Sequence, residues 1–359
     1  MSNSAFPGYR QVNVTGRRAE ASSLLDCRNP AVLDAFGFDQ GYWVALDEGP
    51  VETALLLLGH KADRPVDRGW KARRLDLKAS KNVGRTDDSE SLGRFGGHVY
   101  VFGSHFGGKG GPLDAPRAFV ARFDETALDG KCTGVRLPLE VVQRPFALHR
   151  CINDALRDAQ VDLIPLGTHV RERFIERTLR KGYKRGAAWS GDVRVEDWPL
   201  NVEGAWFDTD GSAVLGLRFP TTAHGQPLLV RVAGIVESFT DPGAPLRALS
   251  VSWLADVGER SVPTGVRDVD SNGDGLHVLV GPIGSVYQPN AVAMDYPGSE
   301  KSACRHYRVS NGSDSGPLSA TRVSDLGDYG VEGLAPMPGG GWIYAHDSKD
   351  ALEIAVPEA

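Results

Sequence analysis

The chain has 359 residues, among them 43 Gly, 22 Pro and four Cys, with 41% hydrophobic residues and a formal net charge of −6. A pI near 5.9 leaves no basic excess of the kind that phosphate-backbone binding rests on, so nucleic acid is not expected as a partner. Gly and Pro spread along the whole chain suit many turns and short strands and argue against a disordered tail.

The N-terminal stretch MSNSAFPGYRQ has no apolar h-region, and no segment approaches the roughly 18 apolar residues of a membrane span. Cys27, Cys132, Cys151 and Cys304 are far apart and form no C-x-x-C pair. Neither a zinc knuckle nor a disulfide framework is indicated, and a soluble cytoplasmic protein with reduced thiols is the expectation.

Taken in order, the chain repeats one plan: an acidic lead, a short apolar run, a Gly-containing turn, and a second apolar strand ending on a polar side chain. The first copy runs from Glu20 through FGFDQG to YWVALDE, ending at Asp47 and Glu48. The second runs from Glu90 through Gly96-Gly97 to HVYVFGSH, ending at Ser104 and His105. The third, Asn201 to Arg218, is the clearest: NVEGAWFDTDGSAVLGLR carries Glu203 in the lead and Arg218 at the end. The fourth runs from Asp268 and Asp270 through SNGDG to Gly281-Pro282, and the fifth from Glu332 through PMPGGG to His346 and Asp347. The leads at 20, 90, 203, 268 and 332 are spaced by 70, 113, 65 and 64 residues. A repeated supersecondary unit of this length is the mark of a radial or solenoid array.

Each copy is followed by material for two further strands: TALLLLG and ARRLDL, AFVARF and GVRLPL, PLLVRVAG and RALSVSWL, ACRHYRVS and SATRVSDL. The last copy has only ALEIAVP, one strand short, and YRQVNV at residues 9–14 can supply the missing strand. The expected fold is therefore all-β: a single β-propeller over residues 1–359, with five blades and strand closure between the termini. Six blades would follow if the long interval hides a degenerate one.

That interval holds an insertion at residues 145–192, between the second and third blades, where the apolar period changes from two to nearer 3.6. Leu148, Ile152 and Leu156 share one helical face, and Val170 and Phe174, with Ile175 and Leu179, share another. Between Arg171 and Arg185 there are seven Arg or Lys against two Glu. Such a run reads as a solvated helix face or as an anion-binding lid. Trp189 and Trp198 beside it suggest a contact surface for a protein partner.

In a propeller, equivalent positions of the innermost strands converge on the central channel. Glu20, Glu90, Glu203, Asp268 or Asp270, and Glu332 would then form a carboxylate ring that needs a compensating cation, an Arg or a proton. Ca²⁺ or Mg²⁺ is the economical remedy, with Mn²⁺ or Zn²⁺ admitted by His105 and His346. Alternatively, each Glu fixes blade geometry by accepting backbone N–H bonds. The tract DSNGDG at 270–275 matches the first half of a calcium loop, but Gly281 stands where the bidentate Glu belongs; it is read as a hairpin turn. The loop SHFGGKGGP at 104–112 carries Lys109 and lacks P-loop order, so no nucleotide cofactor is indicated, and no G-x-S-x-G elbow is present.

The copies SESL…VYVFGSHFGGKG, NVEGAWFDTDGSAVLGLR, RDVDSNGDGLHVLVGP and GVEGLAPMPGGGWIYAHD together resemble the bacterial family known as domain of unknown function 3616. Its members look like β-propellers, distantly similar to the phytase-like esterase and regucalcin or gluconolactonase groups, which hold a divalent metal in the channel. The resemblance implies Glu20, Glu90, Glu203 and Glu332 as metal ligands, and His105 and Arg218 as substrate contacts.

Two functions are expected from these features. One is a metal-dependent hydrolase of a small anionic ester, lactone or phosphoester, with Glu90, His105, Glu203 and Arg218 catalytic and Lys109, Arg218, His346 and Asp347 binding the substrate. The other is a non-catalytic propeller that binds a small ligand or a protein through the channel mouth and the basic insertion.

Overall fold

The computed structural model describes residues 4–14, 20–47, 49–75, 77–79, 84–108, 110–128, 137–284, 291–310, 315–328, 330–346, 348 and 351–358. They build five sheets of four or five strands. The innermost strands, in chain order, are Ala21–Asp26, Ser89–Phe95, Asn201–Phe207, Thr264–Ser271 and Val331–Pro336. Each begins an antiparallel hairpin and adds outer strands in sequence, so neighbours along the chain are neighbours in the sheet.

The innermost strands touch in cyclic order, first to second, second to third, third to fourth, fourth to fifth, and fifth to first. Between them lie apolar layers shared by adjacent sheets. Trp43 and Leu57 meet Val99 and Phe123; Phe102 meets Val202 and Leu217; Val214 meets Val278. Leu279 meets Tyr344, and Ile343 meets Val44. A sheet covered on both faces wants unbroken apolar runs, which is why Leu55–His60, LLLLGH, is buried at every position. The arrangement is propeller-like.

The fifth sheet joins the two ends of the described chain: Tyr9–Val14 pairs antiparallel with Leu352–Pro357 over six residues, from Tyr9 opposite Pro357 to Val14 opposite Leu352. Some elements differ from expectation. ARRLDL splits, with Lys71–Arg74 completing the first sheet and Leu77–Ala79 crossing to pair in parallel with Leu137–Gln143 of the second. A short helix, Pro30–Phe36, also interrupts the first hairpin.

The insertion is helical as expected. Ala147–Asp158 buries Leu148, Ile152 and Leu156 against the third sheet. A second helix runs from Thr168 to Arg185, with a π-helical segment at Arg171–Glu176. The wider turn there lets the adjacent Phe174 and Ile175 both point inward, which an α-helix with 3.6 residues per turn would resist. These side chains pack with Phe219, the last residue of the second strand of the third hairpin, and Ile283, just beyond that of the fourth. The insertion therefore lies over the end of the channel where the innermost strands start. Trp189 is half-buried against Phe146, and half-buried Trp198 donates its indole N–H to the Ile164 carbonyl at 2.9 Å. Neither ring is the exposed contact aromatic expected from the sequence, because both close the base of the insertion. DSNGDG forms the predicted hairpin turn, with Gly273 at φ +94°.

Candidate functional site at the bulged channel end

Every innermost strand carries one extra residue near its start. Pairing jumps between Ala21 and Ser23, Ser89 and Ser91, Val202 and Gly204, Val266 and Asp268, and Val331 and Gly333. The residues skipped are Ser22, Glu90, Glu203, Arg267 and Glu332. A β-bulge kinks its strand and re-aims the extra side chain, and bulges cluster at functional sites. Repetition of the bulge in all five hairpins sets the channel slot.

The bulges correct the sequence alignment in two places. The first slot holds Ser22 instead of Glu20, whose half-buried side chain has no hydrogen bond or ion pair to the other slot residues among the described ones; its carbonyl accepts the Asp47 N–H at 3.4 Å. The fourth slot holds Arg267 instead of Asp268. An acidic residue a few positions before the turn looks alike from sequence whether or not a bulge displaces it by one or two places.

Arg267 changes the electrostatics. It lies 3.2 Å from one Glu203 oxygen and pairs with Glu332. Arg218, from the partner strand of the third hairpin, holds the other Glu203 oxygen at 2.7 Å and donates to the Pro282 and Gly284 carbonyls, both at 3.1 Å. Asn201 also donates to Glu203 at 2.9 Å. The fork of Arg218 thus ties the third sheet to the fourth, while Arg267 spans Glu203 of the third and Glu332 of the fifth.

Around Glu90 the balance is reversed. Burial, then Asp88, Glu203 and Asp47, push its carboxyl well above the usual range, and Arg218 opposes them only in part. Asp88, at φ +67°, is buried and pairs with Arg117 at 2.7 Å. Burial raises Asp88 too, against the pull of Arg117 and a Ser104 hydrogen bond. Asp88 and Arg117 are site residues that the sequence plan does not single out, whereas Asp47 stands in it as an end of the first hairpin. Asp88 sits two residues before Glu90 and shows no signal of its own beyond that proximity.

The remaining sequence candidates lie elsewhere or outside the described residues. His105, at φ +58°, faces away from the channel into an apolar hollow with Ala118, Phe119, Leu148 and Ile235. Burial, with His149 nearby, lowers its pKa to about 3, and neither ring nitrogen has a partner among the described residues. It is a neutral core histidine beneath the insertion. His346 is buried at the end of its strand, opposite Val331, with its ring stacked 6.5 Å from Phe6. Lys109, Asp347 and Glu48 lie outside the described residues, as does Cys132.

One layer deeper, Asp268 is structural. It accepts the Leu334 N–H at 3.0 Å, the Leu24 N–H at 3.5 Å and the Ser23 hydroxyl at 3.2 Å, while the Ser23 oxygen accepts the Leu92 N–H at 3.2 Å. One carboxylate and one hydroxyl therefore lace the first, second, fourth and fifth innermost strands together. In the third and fifth strands the same position is Gly204 and Gly333. A Cβ there would come within 2.6 Å of Val269 and 3.0 Å of the Leu24 backbone.

No family model and no curated protein matches the chain. Solved structures match at low similarity. The WD40 β-propeller domain of Doa1 is 9% identical, with 98% of each chain covered and a TM-score of 0.34. A calcium structure of a carbohydrate-active enzyme of family AA12 from Trichoderma reesei is 11% identical, covering 99% of this chain and 97% of that one, with a TM-score of 0.41. A glucose dehydrogenase is 12% identical, covering 97% and 99%, with a TM-score of 0.38. At this distance no activity, ligand or metal passes to this chain.

The donor set does not fit the divalent ion expected from the sequence. Glu203 and Glu332 are engaged by Arg218 and Arg267, and a cation on them would sit against two guanidinium groups. Among the described residues no three His, Cys, Asp or Glu side chains are grouped to hold a metal. At Glu203 and Glu332 the charge is compensated by arginine. No helix among the described residues is long and apolar enough to cross a membrane.

Proposed function

We propose that the five sheets are the blades of one five-bladed propeller, and that the bulged end of its channel is the site of a hydrolase for a small uncharged ester or lactone. The observation that supports this reading is the placement of Glu90 beside Asp88, Glu203 and Asp47, which favours its protonated form. A carboxylic acid kept neutral next to ionisable carboxylates is the arrangement needed for one group to donate a proton while another accepts one. Glu90 would protonate the leaving oxygen. Arg218, fixed by two carbonyls and Glu203, would orient the carbonyl group, and Asp47 would take the proton of the attacking water.

The carboxylates at this end outnumber Arg117, Arg218 and Arg267, so an uncharged substrate fits better than the anionic one suggested by the sequence. Hydrolysis of p-nitrophenyl acetate and γ-butyrolactone by protein dialysed against EDTA tests the reading. Turnover should survive EDTA, and Glu90→Gln should lower kcat/KM by about 10²–10⁴-fold without shifting the thermal midpoint. Turnover that Glu90→Gln leaves intact, or that EDTA abolishes and Mg²⁺ or Ca²⁺ restores, would overturn it. The clamp of two arginines on Glu203 favours a second reading, a non-catalytic ligand site, which would show as ligands that raise the thermal midpoint without being turned over.

A further inference from the structure

The opposite end of the channel holds an open cavity of about 640 Å³, where the innermost strands run into their hairpin turns. This volume is within the range of about 300–1,000 Å³ typical of small-molecule sites. Its walls are of two kinds. Leu25, Phe207, Pro336 and Met337 with half-buried Trp206 form an apolar side. Asp270, Arg28 and Arg94 form the polar side.

The polar side chains are not equally committed. Arg94 is spent, holding Glu125 at 2.9 Å and Asp26 at 2.8 Å. Arg28 places only its Nε on Asp26, at 2.7 Å, and its side chain is 61% exposed. Its two terminal nitrogens have no partner among the described residues. Asp270 is 4% exposed. One of its oxygens accepts the Ser271 N–H at 2.7 Å, and the other is buried with no partner. A buried carboxylate oxygen without a donor is costly, and such a group in a cavity wall calls for a ligand that supplies one.

Local charge narrows the ligand. Arg28 and Arg94 are offset by Asp26 and Glu125, and burial moves Asp270 toward its neutral form, so the cavity attracts neither anions nor cations strongly. What remains is a need for hydroxyl-like groups, which donate to Asp270 and accept from Arg28, on a body with an apolar face for Trp206. We propose that this cavity binds an uncharged saccharide, one pyranose ring lying on Trp206 with adjacent hydroxyls shared between Asp270 and Arg28. The site is separate from the proposed hydrolytic end and does not depend on that reading.

Titration of the full chain with glucose, maltose, cellobiose and lactose, followed by tryptophan fluorescence and calorimetry, tests the proposal. At least one of these sugars should saturate at about millimolar concentration. Arg28→Ala and Asp270→Asn should each weaken binding about tenfold or more, Trp206→Ala should remove the fluorescence response, and Glu90→Gln should leave binding unchanged. Arg28 is exposed, so its variant decides the matter even if Asp270→Asn fails to fold. Absence of saturation by all four sugars, undiminished binding in Arg28→Ala, or saturable binding of only spermidine or AMP would overturn it.

Discussion

Asp268 shows how much one buried carboxylate can organise. Burial first, and then Asp270, push its carboxyl well above the usual range, while the N–H groups of Leu334, Val269 and Leu24 pull the other way. Asp268→Ala would orphan these donors in the middle of the ring, and each buried unpaired group costs about 1–3 kcal/mol. The expected loss is about 3–5 kcal/mol, read from the urea midpoint. Asp268→Asn keeps one acceptor oxygen and should lose clearly less. Asp270 gives a pH test. Burial raises it to about 7 against its Ser271 hydrogen bond, with Asp26 raising it further and Arg28 and Arg94 lowering it. A folded-state value above the unfolded one, near 3.9, means that its contribution to stability is full below that pH and is lost as pH rises toward about 7. Wild type measured against Asp270→Asn between pH 4 and pH 8 should therefore lose a few kcal/mol of relative stability. A flat difference would place Asp270 in a wetter setting than the one described.

Among the elements, the insertion is anchored by one residue near its exit, Asp197. This fully buried carboxylate holds Arg150 at 2.8 Å, His149 at 3.3 Å and the Arg194 N–H at 2.6 Å. Burial pushes it up, but His149, Arg194 and Arg150 together hold it below the usual carboxylate range. Breaking a buried pair costs about 3–5 kcal/mol. Asp197→Ala should accordingly raise hydrogen exchange in Ala147–Asp158 first, with the sheets remote from it protected longer. The two inserted helices were legible because an amphipathic period is a property of one segment alone. The helix Pro30–Phe36 also carried local signals, an Asn29 cap, Pro30 in its first turn and Gly37 in the left-handed region at its end. At seven residues it is too short for an amphipathic period to show. The bulges were not legible, because a bulge is a relation between two strands. An acidic residue at 20 or 268 fits the plan as well as Ser22 or Arg267 until pairing partners are known. Arg267 reads as an ordinary strand residue in the sequence, so a divalent ion, a proton or Arg218 stands there as the expected compensation, and a second arginine at the slot is not foreseen.

At the scale of the molecule, the pairing of a strand near the start of the chain with one near its end follows from arithmetic: five hairpins, one strand too few after the last, and one spare strand before the first. That reasoning needs only strand count. It makes the pairing of Tyr9–Val14 with Leu352–Pro357 the contact on which the cyclic arrangement depends, because every other sheet is built from one continuous stretch apart from the single strands Leu77–Ala79 and Gly316–Leu318 that cross to a neighbour. Phe6, Val12 and Val14 are buried in the layers on both sides of the fifth sheet. At about 1.5–3 kcal/mol for each buried large apolar side chain, their removal takes away a substantial share of a typical stability of about 5–15 kcal/mol. A chain beginning at residue 15 should then unfold in a single transition at much lower urea, since each sheet shares its apolar layers with both neighbours. The loss is local in cause, so it should be reversible in trans. A synthetic peptide of residues 4–14 should add back as an edge strand and restore the midpoint in a saturable way. Failure of the peptide to rescue, with the truncated chain as stable as the full one, would mean that the fifth sheet stands on its second, third and innermost strands alone.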